Sequence, residues 1–444
     1  MFGTSGIRGP IAEDITTETA LSVGRALASE EYHTIVVGRD PRDSGRMLEK
    51  ALISGLEECG SDVIRLGQAA TPTVARSVGW QEADAGVSIT ASHNPPTDNG
   101  LKLWTPSGQA FDTERRERIA TRIETADYEL AAWDEIGETT HYEQAPADHR
   151  RAICDSVEGP LELSVIVDLG TGAGRVTIDA LLELGCTVET LNAQPDGRFP
   201  GRPSEPTAEN CQTLCQAVAN TDADLGLAHD GDADRLLAVD ETGEFVSGDV
   251  LLALFARQAA TAGDRVAVPV DTSILVDDVL ATQDVTVTRT KVGDVYVAEQ
   301  AAEDDVVFGG EPSGAWIWPA ETLCPDAPLA ACKLAELVAT TGSLADLVAE
   351  IPSYPIRRQN IQVAAPEKAA LMERVVSLVT ERYDASSITT LDGVRIETET
   401  GWMLIRASGT QPLVRLTAEA RTDDDVERLL AQAENLVTTA RSEE

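Results

Sequence analysis

Lysine is scarce in this 444-residue chain: Lys50, Lys102, Lys291, Lys333 and Lys368 are the only five. Positive charge is scarce altogether, with 35 Lys and Arg against 75 Asp and Glu and a formal net charge of −40. A chain this acidic repels phosphate backbones and anionic lipid at long range, which argues against nucleic acid and membranes as partners. Long apolar runs are missing too. The start, MFGTSGIRGP, has no apolar core of signal-peptide length, and no stretch approaches the ~18 apolar residues of a membrane span. Cysteines are few and irregular, at 59, 154, 186, 211, 215, 324 and 332. An odd, unevenly spaced set is no disulfide framework. Cys211 and Cys215 lie one helical turn apart, but no second pair completes a zinc site. Reduced thiols and a cytoplasmic protein are the expectation.

Apolar content is nonetheless 42%, so the chain is expected to fold rather than stay disordered. Its length suggests several domains. The acid excess runs along the whole chain, which reads as adaptation to concentrated salt, where screening shortens carboxylate repulsion. Short β-branched runs such as HTIVVGRD, ADAGVSIT, LSVIVDLG, ADLGLAHD and RVAVPVD alternate with helical patterns such as TTETALSVGRALASE. That alternation predicts mixed α/β sheets. Gly60, Gly185 and Gly263 follow helical patterns and are expected as C-caps. Three α/β blocks are drawn at about 1–150, 151–246 and 247–354. After IPSYPIRRQ a smaller α+β block fills 355–444, ending in a helix with Val426, Leu429, Leu430, Ala433, Leu436 and Val437 on one stripe. No fixed-period repeat is visible.

Four loops carry chemistry. In ITASHNPPTDNGLKLW, Pro95 and Pro96 force a turn that can expose Ser92 beside His93, with Lys102 further on. On its own this fits a nucleophile with nearby acid–base groups or an ordinary polar turn. In LAHDGDADRLLAVD, Asp230, Asp232 and Asp234 alternate across a tight loop. Carboxylates that close repel unless a cation neutralises them, and hard oxygen ligands suit Mg²⁺ or Ca²⁺. A calcium hand fails here, because Arg235 stands where that loop needs Gly and a strand pattern follows. A Mg²⁺ site beside a phosphate is the preferred reading. In VVFGGEPSGAW, Glu311 and Ser313 can accept from and donate to sugar hydroxyls, as can the residues of many structural loops. In LIRASGTQPLVRL, Arg406, Ser408, Gly409 and Thr410, with Arg415 behind, have the inventory of a phosphate cradle.

Together these loops, in this order, resemble the α-D-phosphohexomutase superfamily from end to end. The start, FGTSGIRG, and the segment NAQPDGRFPGRPSEP resemble further family signatures. The resemblance implies three similar α/β domains plus a smaller C-terminal α+β domain around a central active-site cleft. It implies that Ser92 is carried as phosphoserine. It implies Mg²⁺ on Asp230, Asp232, Asp234 and a phosphate oxygen of Ser92. Arg8, His93 and Arg235 would line the site, and Lys102 would be the acid–base group at the sugar hydroxyl. A chain that otherwise prefers Arg has kept Lys here, and Lys can lose its proton. Glu311 and Ser313 would read sugar hydroxyls. Arg406, Ser408, Gly409, Thr410 and Arg415 would hold the non-reacting phosphate of a bisphosphorylated sugar intermediate.

The segment TKVGDVYV, with Lys291, Gly293 and Asp294 as substrate-binding candidates, resembles the glucosamine branch more than the glucose or mannose branches. Ser5, GEPSGAW without its usual following His, and Gln411 depart from that branch. The expectation is therefore a phosphoryl shift between the 6- and 1-positions of glucosamine phosphate, with glucose or mannose phosphates as the alternative. A phosphatase acting on the same sugars would release inorganic phosphate. A small-molecule sugar phosphate is the expected partner, and the protein would be a monomer or homodimer.

Overall fold

A computed structural model describes residues 3, 6–408 and 412–442. Three sheets of mixed direction are followed by one antiparallel sheet. In the first, parallel strands Thr34–Arg39, Asp62–Gln68, Ala85–Ile89 and Thr139–His141 are extended by two antiparallel strands, Asp98–Trp104 and Ile7–Pro10. The second holds Ser164–Asp168, Thr187–Leu191 and Leu225–His229 in parallel, then Leu236–Val239 and Phe245–Val246 antiparallel. The third sets Arg265–Pro269 between Thr286–Thr290 and Val306–Glu311, with Ala315–Ile317 returning antiparallel.

The central strands are apolar on both faces because helices cover both sides; Ala85–Ile89 and Leu225–His229 are buried at every position. In each of these sheets a buried parallel strand runs into a functional loop and returns as an antiparallel neighbour. The loops after Ile89, His229 and Glu311 therefore all leave from strand carboxyl ends, where open α/β sheets place their ligands. The sequence shows no fixed-period repeat, yet this construction occurs three times.

The fourth sheet, Ile356–Gln362, Leu413–Ala420, Gly401–Ala407, Val394–Glu397 and Ile388–Thr389, is wholly antiparallel. Helices Lys368–Arg382 and Asp423–Ser442 cover it. The expected stripe on the last helix is buried except for Leu430, which packs at its margin. Gly60 and Gly185 follow their helices at φ +87° and +92°, in the left-handed region that favours glycine. Gly263 does not cap: its helix ends at Ala259, and it lies in a turn whose N–H donates to the Asp284 carbonyl. All seven cysteines are free. Among the described residues, no helix is long and apolar enough to cross a membrane.

The domains meet through buried polar contacts. Thr73 Oγ1 lies 2.8 Å from His149 Nδ1, and His149 Nε2 lies 2.9 Å from Asp326 Oδ2. Arg76 Nε donates to the same oxygen at 2.7 Å, while Asp326 Oδ1 caps helix Ala327–Thr341. Helix Ala145–Ser156, which carries His149, runs across the boundary drawn near residue 150. At the other end, Glu419 accepts from Trp402 Nε1 at 2.6 Å, from the Ile274 N–H at 2.8 Å and from Ser273 Oγ. Arg395 stacks 4.1 Å from the Trp402 ring centre and donates to the Val270 carbonyl at 2.5 Å. The fourth sheet is thus latched onto the third domain.

Candidate active site

Strand Ala85–Ile89 delivers its loop into the protein, and Ser92 is only 1% exposed. Its φ of +50° is a left-handed angle that a non-glycine residue adopts at a cost, so the surroundings must hold it. Arg42 does much of this. It is fully buried and donates to the carbonyls of Ser92, Asn94, Pro95 and Asp98 at 2.5–2.9 Å, while Asp40 accepts from its Nε at 2.9 Å. Thr90 Oγ1 accepts the Ser92 N–H at 2.8 Å, and Ser204 Oγ donates to the Ser92 carbonyl at 3.0 Å. Ser204 belongs to the segment 192–206. Phe199 of the same segment stacks 4.9 Å from the Arg42 guanidinium.

The Ser92 hydroxyl donates to Asp230 Oδ2 at 2.6 Å and lies 3.3 Å from Asp234 Oδ1. Asp230, Asp232 and Asp234 offer one oxygen each within 4.8 Å of one another. A Cβ at Gly231 would come within 2.9 Å of the Ser92 carbonyl, so this close approach of the two loops requires glycine. Burial, then Asp234 and Asp232, push the Asp230 carboxyl well up. Burial and Asp232 raise Asp234 to about 6. Burial would raise Asp232 as well, but Arg8, the Thr71 hydroxyl at 2.6 Å and Lys102 together hold it low. Asp232 Oδ1 is buried with no hydrogen-bond partner among the described residues. Three buried carboxylates converging on one point form a set of hard oxygen donors suited to a divalent cation such as Mg²⁺.

Lys102 comes from the antiparallel neighbour of the Ser92 strand and is 2% exposed. Its ammonium pairs with Asp294, lies 4.0 Å from Asp234 and stands 4.6 Å from the Trp104 ring centre. Burial alone would lower its pKa, but Asp294 and Asp234 outweigh it and hold Lys102 above the usual lysine range. Asp294, expected as a substrate-binding residue, pairs with Lys102 and also lines the neighbouring cavity. Its own carboxyl is lowered: burial opposes, and Lys102 wins. Arg8 lies on the strand next to that of Lys102, with Nε buried and without a partner among the described residues. His93 Nδ1 lies 3.4 Å from Ser92 Oγ. Burial, Arg235 and Arg8 depress His93 to about 3, so it is neutral at pH 7 and supplies no charge. Arg235 carries its charge firmly: burial opposes, but Asp234 and Asp230 raise it.

Next to this centre opens a cavity of about 310 Å³, lined by Arg235, Gly293, Asp294, Glu311, Ser313 and Arg358 among others. Glu311 Oε1 accepts the Gly293 N–H at 2.7 Å, and burial with Asp294 raises its carboxyl to about 7. Lys291 is exposed at the loop edge, 5.3 Å from the Tyr296 ring centre. A second cavity, about 100 Å³, is lined by Arg358, Arg406, Arg415, Asn360, Asp271 and Thr417. Arg406 pairs with Asp392 at 2.8 Å. Ser408 is buried at the end of its strand, and Gly409 and Thr410 lie outside the described residues.

Sequence reasoning missed Arg42, Thr71, Ser204 and Arg358. The one signal for Arg42 was its place in GRDPRDSG, an Arg flanked by Asp40 and Asp43. Thr71 and Ser204 act through partners more than a hundred residues away.

Four family models match successive segments of the chain. They are the phosphoglucomutase/phosphomannomutase alpha/beta/alpha domains I, II and III at residues 1–130, 147–243 and 247–354, and the C-terminal domain at 360–436. A relative from Methanococcoides burtonii, described as "Probable phosphoglucosamine mutase", is 46% identical over 99% of both chains. One from Methanopyrus kandleri with the same description is 46% identical over 96% of this chain and 95% of its own. A solved structure of a phosphoglucomutase/phosphomannomutase family protein from Burkholderia thailandensis covers 99% of this chain and 98% of its own, with TM-score 0.88 and 26% identity. With all four domains matched in order, the chain belongs to the phosphoglucomutase/phosphomannomutase family of α-D-phosphohexomutases.

Proposed function

We propose that this phosphohexomutase interconverts glucosamine 6-phosphate and glucosamine 1-phosphate. The observation that carries the sugar assignment is end-to-end similarity of 40–46% to relatives described as phosphoglucosamine mutases. The TKVGDVYV segment agrees with it.

Ser92 is the phosphoryl carrier. Arg42, Thr90 and Ser204 hold its loop so that the hydroxyl meets the aspartates without rearrangement, which lowers the entropic cost of transfer. Asp230, Asp232 and Asp234, with a phosphate oxygen on Ser92, would hold Mg²⁺. When bound, the ion neutralises charge on the phosphoryl group in flight. Arg8 and Arg235 supply fixed positive charge around the same centre. His93 contributes a ring nitrogen beside the Ser92 hydroxyl.

In the half-reaction that loads Ser92, the phosphoryl group comes from a bisphosphorylated sugar. The Ser92 oxygen–phosphorus bond forms as the sugar oxygen–phosphorus bond breaks, and the Ser92 hydroxyl proton passes to Asp230, which already accepts its hydrogen bond. Lys102 is protonated and gives its proton to the departing sugar oxygen, with Asp294 holding the ammonium in place. Glu311 and Ser313 take sugar hydroxyls, and Arg406, Ser408, Gly409, Thr410 and Arg415 take the other phosphate. The sugar then turns around and the opposite transfer completes the shift. A bisphosphorylated sugar is therefore both intermediate and activator. The excess of surface carboxylate suits a cytoplasm of concentrated salt.

The test is isomerisation of glucosamine, glucose and mannose phosphates in parallel, with Mg²⁺ and the matching bisphosphate. Glucosamine phosphate should give the highest kcat/KM. A preference for glucose or mannose phosphate would overturn the sugar assignment and leave the mutase chemistry standing.

A further inference from the structure

The alternation of strand Ile356–Gln362 sets two adjacent arginines on opposite faces. Arg357 turns outward to Glu427 and Asp423, both at 2.9 Å. Arg358 has no hydrogen-bond or ion-pair partner among the described residues, and it is exposed. In a chain with 75 acidic residues for 35 basic ones, carboxylates are in surplus and an unpaired guanidinium needs a reason. Its place supplies one. Arg358 lines both the sugar-side cavity and the cavity shared by Arg406 and Arg415. Three of the residues lining that cavity are arginines and one, Asp271, is acidic, so positive charge is in excess there and suits an anion. A phosphate monoester supplies two negative charges and three acceptor oxygens, and the planar guanidinium fork matches them.

We infer that Arg358 is a substrate-binding residue: it clamps the non-reacting phosphate of the sugar from the edge strand, opposite Arg406. The inference rests on the mutase reading for the identity of the ligand. Its logic is that of a residue kept free for a ligand. Arg358 lies just past the connector 351–355, so the same contact ties the sugar phosphate to the seam between the third and fourth domains. Arg358 makes no hydrogen bond or ion pair among the described residues and meets the buried Asp249 and Asp271 only at longer charge–charge range, so removing it should change the melting temperature little.

The experiment compares Arg358→Gln, Arg358→Lys and Arg357→Gln in the full-length protein, with glucosamine 6-phosphate as substrate and inorganic phosphate as competing ligand. Losing a charge-assisted hydrogen bond should raise KM by about 10- to 100-fold in Arg358→Gln, with kcat changed far less. The inhibition constant of inorganic phosphate should rise in parallel, and the melting temperature should stay close to that of the wild type. Arg358→Lys should recover part of the KM, and Arg357→Gln should match the wild type. Unchanged KM and phosphate inhibition in Arg358→Gln would overturn the inference. So would an equal rise in Arg357→Gln, which would mean that any lost positive charge suffices. If the wild type isomerised no hexose phosphate, the mutase reading would fail. Phosphate binding by calorimetry to wild type and Arg358→Gln would then still decide the clamp.

Discussion

Lys102 and Asp294 form the pair whose chemistry is most exposed to test. The sequence offered a lysine kept where arginine was otherwise preferred. The structure adds that the ammonium is buried and held charged by a carboxylate from another domain. Lys102→Arg keeps the charge but cannot give up a proton, so turnover should fall at least ~100-fold while Mg²⁺ affinity is retained. Near-normal turnover would reduce Lys102 to a charge clamp. Asp294→Asn tests the same pair from the other side. Burial lowers the Lys102 pKa, and Asp294 is the largest influence raising it. Without Asp294 the pKa should fall, so the protonated acid should be lost as pH rises through a lower value than in the wild type. Turnover of Asp294→Asn should therefore decline with rising pH where the wild type stays level. Superimposable pH profiles would remove Asp294 from any role in holding the proton. The Ser92, Lys102 and aspartate residues could be read from the sequence because each lies in a compact motif. The dependence of Lys102 on Asp294 could not, since the two are 192 positions apart.

Elements assemble the site through hairpin-like returns at sheet ends, and their strands were legible from β-branched runs alone. The seams between elements were not. His149, Asp326, Glu419 and Arg395 look like unremarkable charged or polar residues in sequence, because periodicity reports which face is buried and not what a polar residue meets there. Glu419 is the clearest case: it is 2% exposed and accepts from Trp402, Ser273 and the first turn of helix Ile274–Ala281. Glu419→Ala leaves buried donors unsatisfied at roughly 1–3 kcal/mol each. For a unit the size of the fourth domain, each kcal/mol is about 4–8 °C. An early melting transition and faster proteolytic cleavage near 351–355 are expected. Unchanged melting and cleavage would show that the latch does not hold the domain.

At the scale of the whole molecule, the −40 net charge sets the conditions under which the fold is stable. The Debye length is about 30 Å at 0.01 M salt and about 3 Å at 1 M, so carboxylate repulsion should weaken steadily as KCl is added. The melting temperature should rise with KCl from 0.1 M to molar concentrations. A flat response would contradict the reading of the acidic surface as salt adaptation. Beneath that surface the claim that organises everything else is that Ser92 carries the phosphoryl group between the two ends of one sugar. It is tested most directly by following glucosamine 6-phosphate by phosphorus NMR, with Mg²⁺ and glucosamine 1,6-bisphosphate, for wild type and Ser92→Ala. The wild type should convert the 6-phosphate to the 1-phosphate with total phosphate ester conserved, and Ser92→Ala should leave it unchanged. Release of inorganic phosphate by the wild type, or conversion by Ser92→Ala at a near-wild-type rate, would contradict the account.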